Sequence, residues 1–246
     1  MKYKTIFIFD CDGTVLDSRK PLEKILKTLA KKFNVSLPND AELKKLWGTG
    51  GYNLIKYCFP GYAYKKIYKQ WKKLEHEMRM KLIDGTGDTV RELKKSGFLV
   101  GLLTNRSRKG LKYYSELIQG LNFDFVQTCE YTISNKIFQT LNPFRKHLTT
   151  NHFKPNPEFF RPFFKWLKRQ KINPKEIFYI GDSIVDFEAI CSANHIYKYK
   201  IQFIGVSTGS IKTETEWWKI TNDKFPVLSS IAELPDWYNQ GTKKSI

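Results

Sequence analysis

The chain has 246 residues, 41% apolar and 27% charged, which suits one large α/β domain or a core carrying a smaller insertion. Aromatics at 15% argue against wholesale disorder, and no apolar run approaches the roughly 18 residues of a membrane span. The net charge of +18 favours anionic partners, but the lysines lie in short pairs along the whole chain, so a solvated basic surface is favoured over a dedicated nucleic-acid footprint.

Residues 3–9, YKTIFIF, read as a strand buried on both faces. Basic residues precede this apolar run as in a signal peptide, yet it ends at Asp10 without a small-residue cleavage site. Leu22, Ile25, Leu26, Leu29 and Phe33 recur at helical spacing and predict a helix over 20–34. Pro38 and Asn39 break the pattern, and Asp40 is expected to cap a second helix at 41–47. The GTGG run at 48–51 lacks the lysine of a P-loop and reads as a helix-to-helix loop. Further helices are expected at 52–58 and 62–82, separated by Pro60 and Gly61. The stretch 19–82 is thus predicted to be all-helical.

After DGTGD at 84–88 the pattern changes to alternation. A short helix at 89–96 ends at Gly97, followed by strand 98–104, helix 107–119 and strand 123–128. Residues 129–153 read as either a β-hairpin excursion or an irregular loop. Pro157 opens a predicted helix to about Gln170, then come strand 176–182, helix 184–194, strand 199–207 and a last helix at 229–238. Cys11, Cys58, Cys129 and Cys191 are scattered without zinc or disulfide spacing and read as free thiols of a reducing cytosol.

Strands alternating with helices predict a doubly wound parallel sheet, whose ligands collect at the carboxyl ends of the strands. The residues leaving those strands are Asp10 and Asp12, Thr104 and Asn105, and Gly181 and Asp182. Asp10, Asp12, Asp182 and Asp186 would then meet at one rim, where like charges need a cation or a proton. Hard oxygen donors with no nearby cysteine or histidine ligand set point to Mg²⁺ rather than zinc. Strand alternation turns the side chain at 11 away from the pair, so Cys11 reads as a packing residue.

Four stretches in order, FDCDGTVLDS at 9–18, LLTNRS at 102–107, KPNPEFF at 154–160 and GDSIVDFEA at 181–189, resemble the four signatures of the haloacid-dehalogenase-like phosphohydrolase superfamily. The helical block between the first two resembles the cap of its phosphoglycolate phosphatase and β-phosphoglucomutase branch, which implies for GTGG at 48–51, as the alternative to a plain turn, a cap loop that dips over the site and helps choose substrate. The resemblance implies a catalytic core of residues 1–18 and 84–246 and a helical cap of 19–83. It implies Asp10 as nucleophile, Asp12 as general acid and base, and Thr104, Asn105 (through its backbone N–H) and Lys154 as phosphate ligands. The Asp10 and Asp182 carboxylates and the Asp12 carbonyl would hold Mg²⁺, with Asp186 orienting them and Lys154. Lys136 and Lys146 are alternatives to Lys154. The implied activity is hydrolysis of a small phosphorylated substrate by a cytoplasmic enzyme, since Asp12 supplies the acid that an alkoxide leaving group needs. A phosphosugar mutase, or a phosphatase of nucleotide or nucleic-acid ends using the basic surface, is the alternative.

Overall fold

The computed structural model describes residues 5–130, 147–222 and 225–243, with side chains through 241. The first strand, β1 (Thr5–Phe9), is short because the apolar run is short, and all five residues are buried. Its alternation serves two cores. Phe7 and Phe9 join one cluster, and Ile6 and Ile8 join the other.

β1 lies at the centre of a seven-stranded parallel sheet, ordered β4–β3–β2–β1–β5–β6–β7. On one side come β2 (Leu99–Leu103), β3 (Phe125–Cys129) and β4 (His147–Thr150). On the other come β5 (Glu176–Gly181), β6 (Gln202–Val206) and the two-residue β7 (Val227–Leu228). Phe9 pairs with Leu102 and with Ile180, so the carboxyl ends of β1, β2 and β5 finish level. The order of addition reverses at β1, and a crevice for ligands opens there.

Between β1 and β2 run four helices, α1 (Arg19–Phe33), α2 (Asp40–Leu46), α3 (Gly51–Cys58) and α4 (Tyr64–Glu77), followed by α5 (Thr86–Lys95). After β2 come α6 (Arg108–Lys112) and α7 (Ser115–Gly120). The remaining helices are α8 (Arg161–Arg169), α9 (Ile184–Ile196), α10 (Glu214–Thr221) and α11 (Leu234–Lys243). Ile25 and Leu29 of α1, Trp71 of α4 and Val90 of α5 bury on the Phe7 side, while Phe163 of α8, Ile190 of α9 and Trp217 of α10 bury on the Ile6 side. Among the described residues, no helix is long and apolar enough to cross a membrane.

Several sequence expectations need correction. Asn39, not Asp40, caps α2: its side chain accepts from the Glu42 N–H at 3.0 Å, and the Glu42 carboxylate accepts from the Asn39 N–H at 3.2 Å. A glutamate three residues after Asn39 settles the choice through this reciprocal pair. The helix expected over 62–82 stops at Glu77. Beyond it the chain runs back along the segment after β1, with the Asp17 N–H donating to Lys81 O and the Ile83 N–H to Val15 O, both at 2.9 Å. These two crossings carry the chain into and out of the helical block.

The helix expected over 107–119 splits at Tyr114, whose buried hydroxyl donates to Glu75 O at 3.2 Å. Pro157–Phe160 is a 3₁₀ turn leading into α8. Neither α10 nor β7 was expected, and in 129–153, read as a β-hairpin or an irregular loop, β4 pairs parallel with β3. Residues 131–146 of that stretch, with Lys136 and Lys146, lie outside the described residues.

Candidate active site

Asp10 continues β1 by one step, its N–H donating to Ile180 O at 2.9 Å, and its side chain is buried. The turn that follows depends on Gly13, at φ +77°. A Cβ there would lie 2.2 Å from Asp182 Oδ2, so the glycine lets the turn press against the end of β5. The Thr14 hydroxyl donates to Asp182 Oδ1 at 3.4 Å. Asp10, Asp182 and Asp186 each offer a carboxylate oxygen, all within 4.8 Å of one another.

Burial pushes Asp10 up to about 7 against the pull of Lys154, and Asp186 adds to the rise. Burial, then Asp186, raises Asp182 well above the usual carboxylate range. Both shifts have one physical meaning: the site disfavours bare negative charge and favours a proton or a cation. An all-carboxylate donor set suits a hard cation. Asp182 fits that role, since the Thr14 hydroxyl is its one hydrogen-bond donor among the described residues.

Asp186 is committed elsewhere. It sits in the first turn of α9, where its Oδ2 accepts from the Ser183 hydroxyl at 2.6 Å. Its Oδ1 accepts from Lys154 Nζ at 2.5 Å. Lys154 Nζ also donates to Asp10 Oδ1 at 2.7 Å and to the Tyr179 hydroxyl at 2.8 Å. Lys154 is 1% exposed. Burial alone would lower it, but Asp10 and Asp186 hold it well above the ordinary lysine range. The edge strand β4, parallel to β3, brings the chain to this rim shortly before Lys154.

Asp12 goes a different way. Both of its oxygens accept from Arg106, Nε to Oδ2 and Nη2 to Oδ1, each at 2.7 Å. The remaining Nη1 of the same guanidinium donates to Glu75 of α4. Arg106 is 9% exposed and also lies over the Tyr114 ring, 5.1 Å from its centroid. Burial opposes its charge, but Asp12 and Glu75 more than compensate and raise it. Arg106 therefore ties the sheet to the helical block.

Thr104 is buried, and its Oγ1 accepts from the Arg106 N–H at 3.1 Å, which leaves its proton free to donate toward the rim. The Asn105 side chain is a strut. Its Oδ1 accepts from the Lys154 N–H at 2.8 Å, and its Nδ2 donates to Gly48 O at 2.7 Å. Gly48, at φ +90°, lies against Ser183, whose hydroxyl a Cβ would meet at 2.6 Å. The GTGG loop thus rests on the site as well as joining α2 to α3. Cys11 is fully buried in the Phe7 core, and burial, then Asp12, raises its thiol well above the ordinary range.

A cavity of about 1000 Å³, open mouth included, lies between the strand ends and the helical block. Asp10, Asp12, Thr104 and Asp182 line its floor, and Trp47, Trp71 and Glu75 line its roof. The structure therefore gathers Asp10, Asp12, Thr104, Asn105, Lys154, Asp182 and Asp186 at one rim, with Asp12 held by Arg106 and Asp10 by Lys154. Arg106 and Glu75 were not expected. LLTNRS contains the arginine, but nothing local marks its partners.

A doubly wound parallel sheet with buried carboxylates at its switch point defines a ligand site at the strand ends. Residues 7–136, just over half the chain, match the haloacid dehalogenase-like hydrolase family, and the chain belongs to that family. The chain is similar to a pyrophosphatase, PpaX, of Bacillus cereus strain ATCC 10987, at 26% identity over 193 residues, covering 74% of this chain and 76% of that one. In fold it resembles a hydrolase from Pseudomonas syringae, with a TM-score of 0.67 and 16% identity, covering 98% of this chain and 99% of the other. It also resembles a predicted phosphoglycolate phosphatase from Haemophilus somnus 129PT, with a TM-score of 0.65 and 18% identity, covering 97% and 99%.

Proposed function

We propose that the protein is a Mg²⁺-dependent phosphatase that hydrolyses a small phosphomonoester through an aspartyl-phosphate on Asp10. In this reading residues 1–18 and 84–246 are the catalytic core and 19–83 a helical cap. One observation carries it: Asp10 lies at the sheet's switch point, 2.7 Å from buried Lys154 and within 4.8 Å of Asp182, and faces the cavity.

An Asp10 oxygen attacks phosphorus, the ester oxygen leaves, and Asp12 gives that oxygen a proton. Asp12 then takes a proton from water as the water attacks the acyl phosphate, which releases phosphate and restores Asp10. Both Asp12 oxygens face Arg106, so one guanidinium contact opens before Asp12 can carry a proton. Glu75 holds the other side of Arg106 meanwhile. The Thr104 hydroxyl and the Asn105 N–H receive phosphoryl oxygens. Lys154 offsets charge on Asp10 and on the phosphoryl group and is itself aimed by Asp186. The Asp10 and Asp182 carboxylates and the Asp12 carbonyl would hold Mg²⁺, which when bound offsets their charge and polarises a phosphoryl oxygen.

A panel with Mg²⁺ tests this reading. It should contain an aryl phosphate, phosphoglycolate and inorganic pyrophosphate, the last because the Bacillus relatives are named pyrophosphatases. Phosphate release without any phosphate donor, loss with chelator, and at least a ~10³-fold loss in Asp10→Asn are expected. Retained turnover in Asp10→Asn contradicts the covalent route.

A further inference from the structure

Among the described residues, Arg19 on the cavity wall forms no salt bridge, although Glu23, Asp182 and Asp40 lie near enough to attract its charge. Arg19, the first residue of α1, places its guanidinium 3.9 Å from the centroid of the Trp47 ring. Its Nη1 is buried with no hydrogen-bond partner, and so is the Trp47 indole nitrogen Nε1. Both residues line the same cavity as Asp10 and Thr104. The nearest acid along the helix, Glu23, is already taken by Lys27 at 2.7 Å. The other buried cations at the site are saturated, Lys154 by Asp10 and Asp186 and Arg106 by Asp12 and Glu75.

Unpaired buried donors are uncommon, and a charged one is the costliest kind. The Arg19–Trp47 stack also orients the guanidinium, because a flat cation over an indole face has little rotational freedom. Ser18 precedes Arg19 at the start of α1 without a side-chain cap bond, so the positive end of a 15-residue helix lies at the same wall. A cation, two orphan N–H donors and a helix N-terminus together call for an anion with two or more acceptor oxygens.

We propose that Arg19 and Trp47 form a second-anion subsite, so that the substrate is a phosphate ester or anhydride bearing a further carboxylate or phosphoryl group. This deepens the phosphatase reading and rests on it. Asp10, Thr104 and Lys154 serve the phosphoryl group that is cleaved, while Arg19 and Trp47 hold the rest of the molecule and choose it. Arg19 acts here as a specificity residue and takes no part in bond making.

Matched substrates test the subsite: phosphoglycolate against ethyl phosphate for a carboxylate, and pyrophosphate against methyl phosphate for a second phosphoryl group. The native enzyme should prefer at least one doubly anionic member by about 10- to 100-fold in kcat/KM, chiefly through KM. Arg19→Met should collapse that ratio and Arg19→Lys should restore part of it. Trp47→Phe, which keeps the ring but loses the N–H, should lower it less. A native ratio near one in both pairs, or a ratio unmoved by Arg19→Met, overturns the subsite while leaving the phosphatase reading intact. Should no phosphate compound be hydrolysed, the phosphatase reading fails by itself, and calorimetry with phosphonoacetate against methylphosphonate decides the subsite. Tighter phosphonoacetate binding that Arg19→Met abolishes supports it, and equal affinities reject it.

Discussion

The Asp10, Asp182, Asp186 and Lys154 group sits on the strand ends, their loops and the first turn of α9, whereas the Asp12, Arg106 and Glu75 group reaches from the sheet to α4 of the helical block. The first combines three carboxylates with one ammonium and stays electrostatically incomplete: Asp10 and Asp182 are both pushed upward. The second combines two carboxylates with one guanidinium and is closed by hydrogen bonds. The contrast separates two tasks. In the proposed reading the incomplete group receives a cation and a phosphoryl group, and the complete one ties the helical block to the sheet.

Lys154→Met should break the first group most. It leaves buried carboxylates facing one another, and about 3–5 kcal/mol of stability should be lost in metal-free urea unfolding, together with turnover. Lys154→Arg, which keeps the charge but not the compact fit, should recover stability better than activity.

The pH dependence comes next. Asp10 is raised from 3.8 to about 7, so its proton is favoured in the folded chain. Its contribution is complete below about pH 3.8 and is lost as pH rises through about 7. Without metal, Asp10→Asn should therefore gain stability relative to the native chain between pH 5 and 8, by up to about 4 kcal/mol. Added Mg²⁺ should narrow that gap at pH 8. A gap that is flat with pH, or a widening one with Mg²⁺, breaks the distinction drawn between the two groups.

Arg106→Met should cost less, about 1–3 kcal/mol, because Asp12 keeps 27% of its side-chain surface in water. Its larger mark should be faster hydrogen exchange in α4, whose tie to the sheet is gone. The smallest effect is expected for Glu75→Gln, about 1 kcal/mol, since the amide oxygen still accepts from Arg106. Equal exchange in α4 for native and Arg106→Met proteins argues against a bridge.

Legibility in the sequence follows the range of the interaction that decides each feature. The run ending at Asp10 and the run ending at Gly181 and Asp182 announced themselves, because a buried strand that stops on a carboxylate is a local pattern. The apolar spacing from Leu22 to Phe33 likewise marks α1 to within a residue. Lys154 was found through its motif, and its placement depends on β4, which lies in the least readable stretch of the chain. Arg106 was not legible, because its partners lie 94 and 31 positions away and it is one of 42 Lys and Arg residues. Arg19 and Trp47 were missed for the same reason, their significance being the partners they lack. The cap of α10 was a readable signal left unread: Thr213 accepts from the Glu216 N–H at 3.1 Å, a spacing present in TETE.

The central claim is that Asp10 and Asp182 share a divalent ion within reach of the cavity. Diffraction from crystals grown with Mn²⁺, read by its anomalous signal, tests it most directly. The account predicts one strong peak about 2.1 Å from an oxygen of each carboxylate. A map with no peak between them at saturating Mn²⁺, or with the ion bound by Asp12 and Glu75 instead, would contradict it.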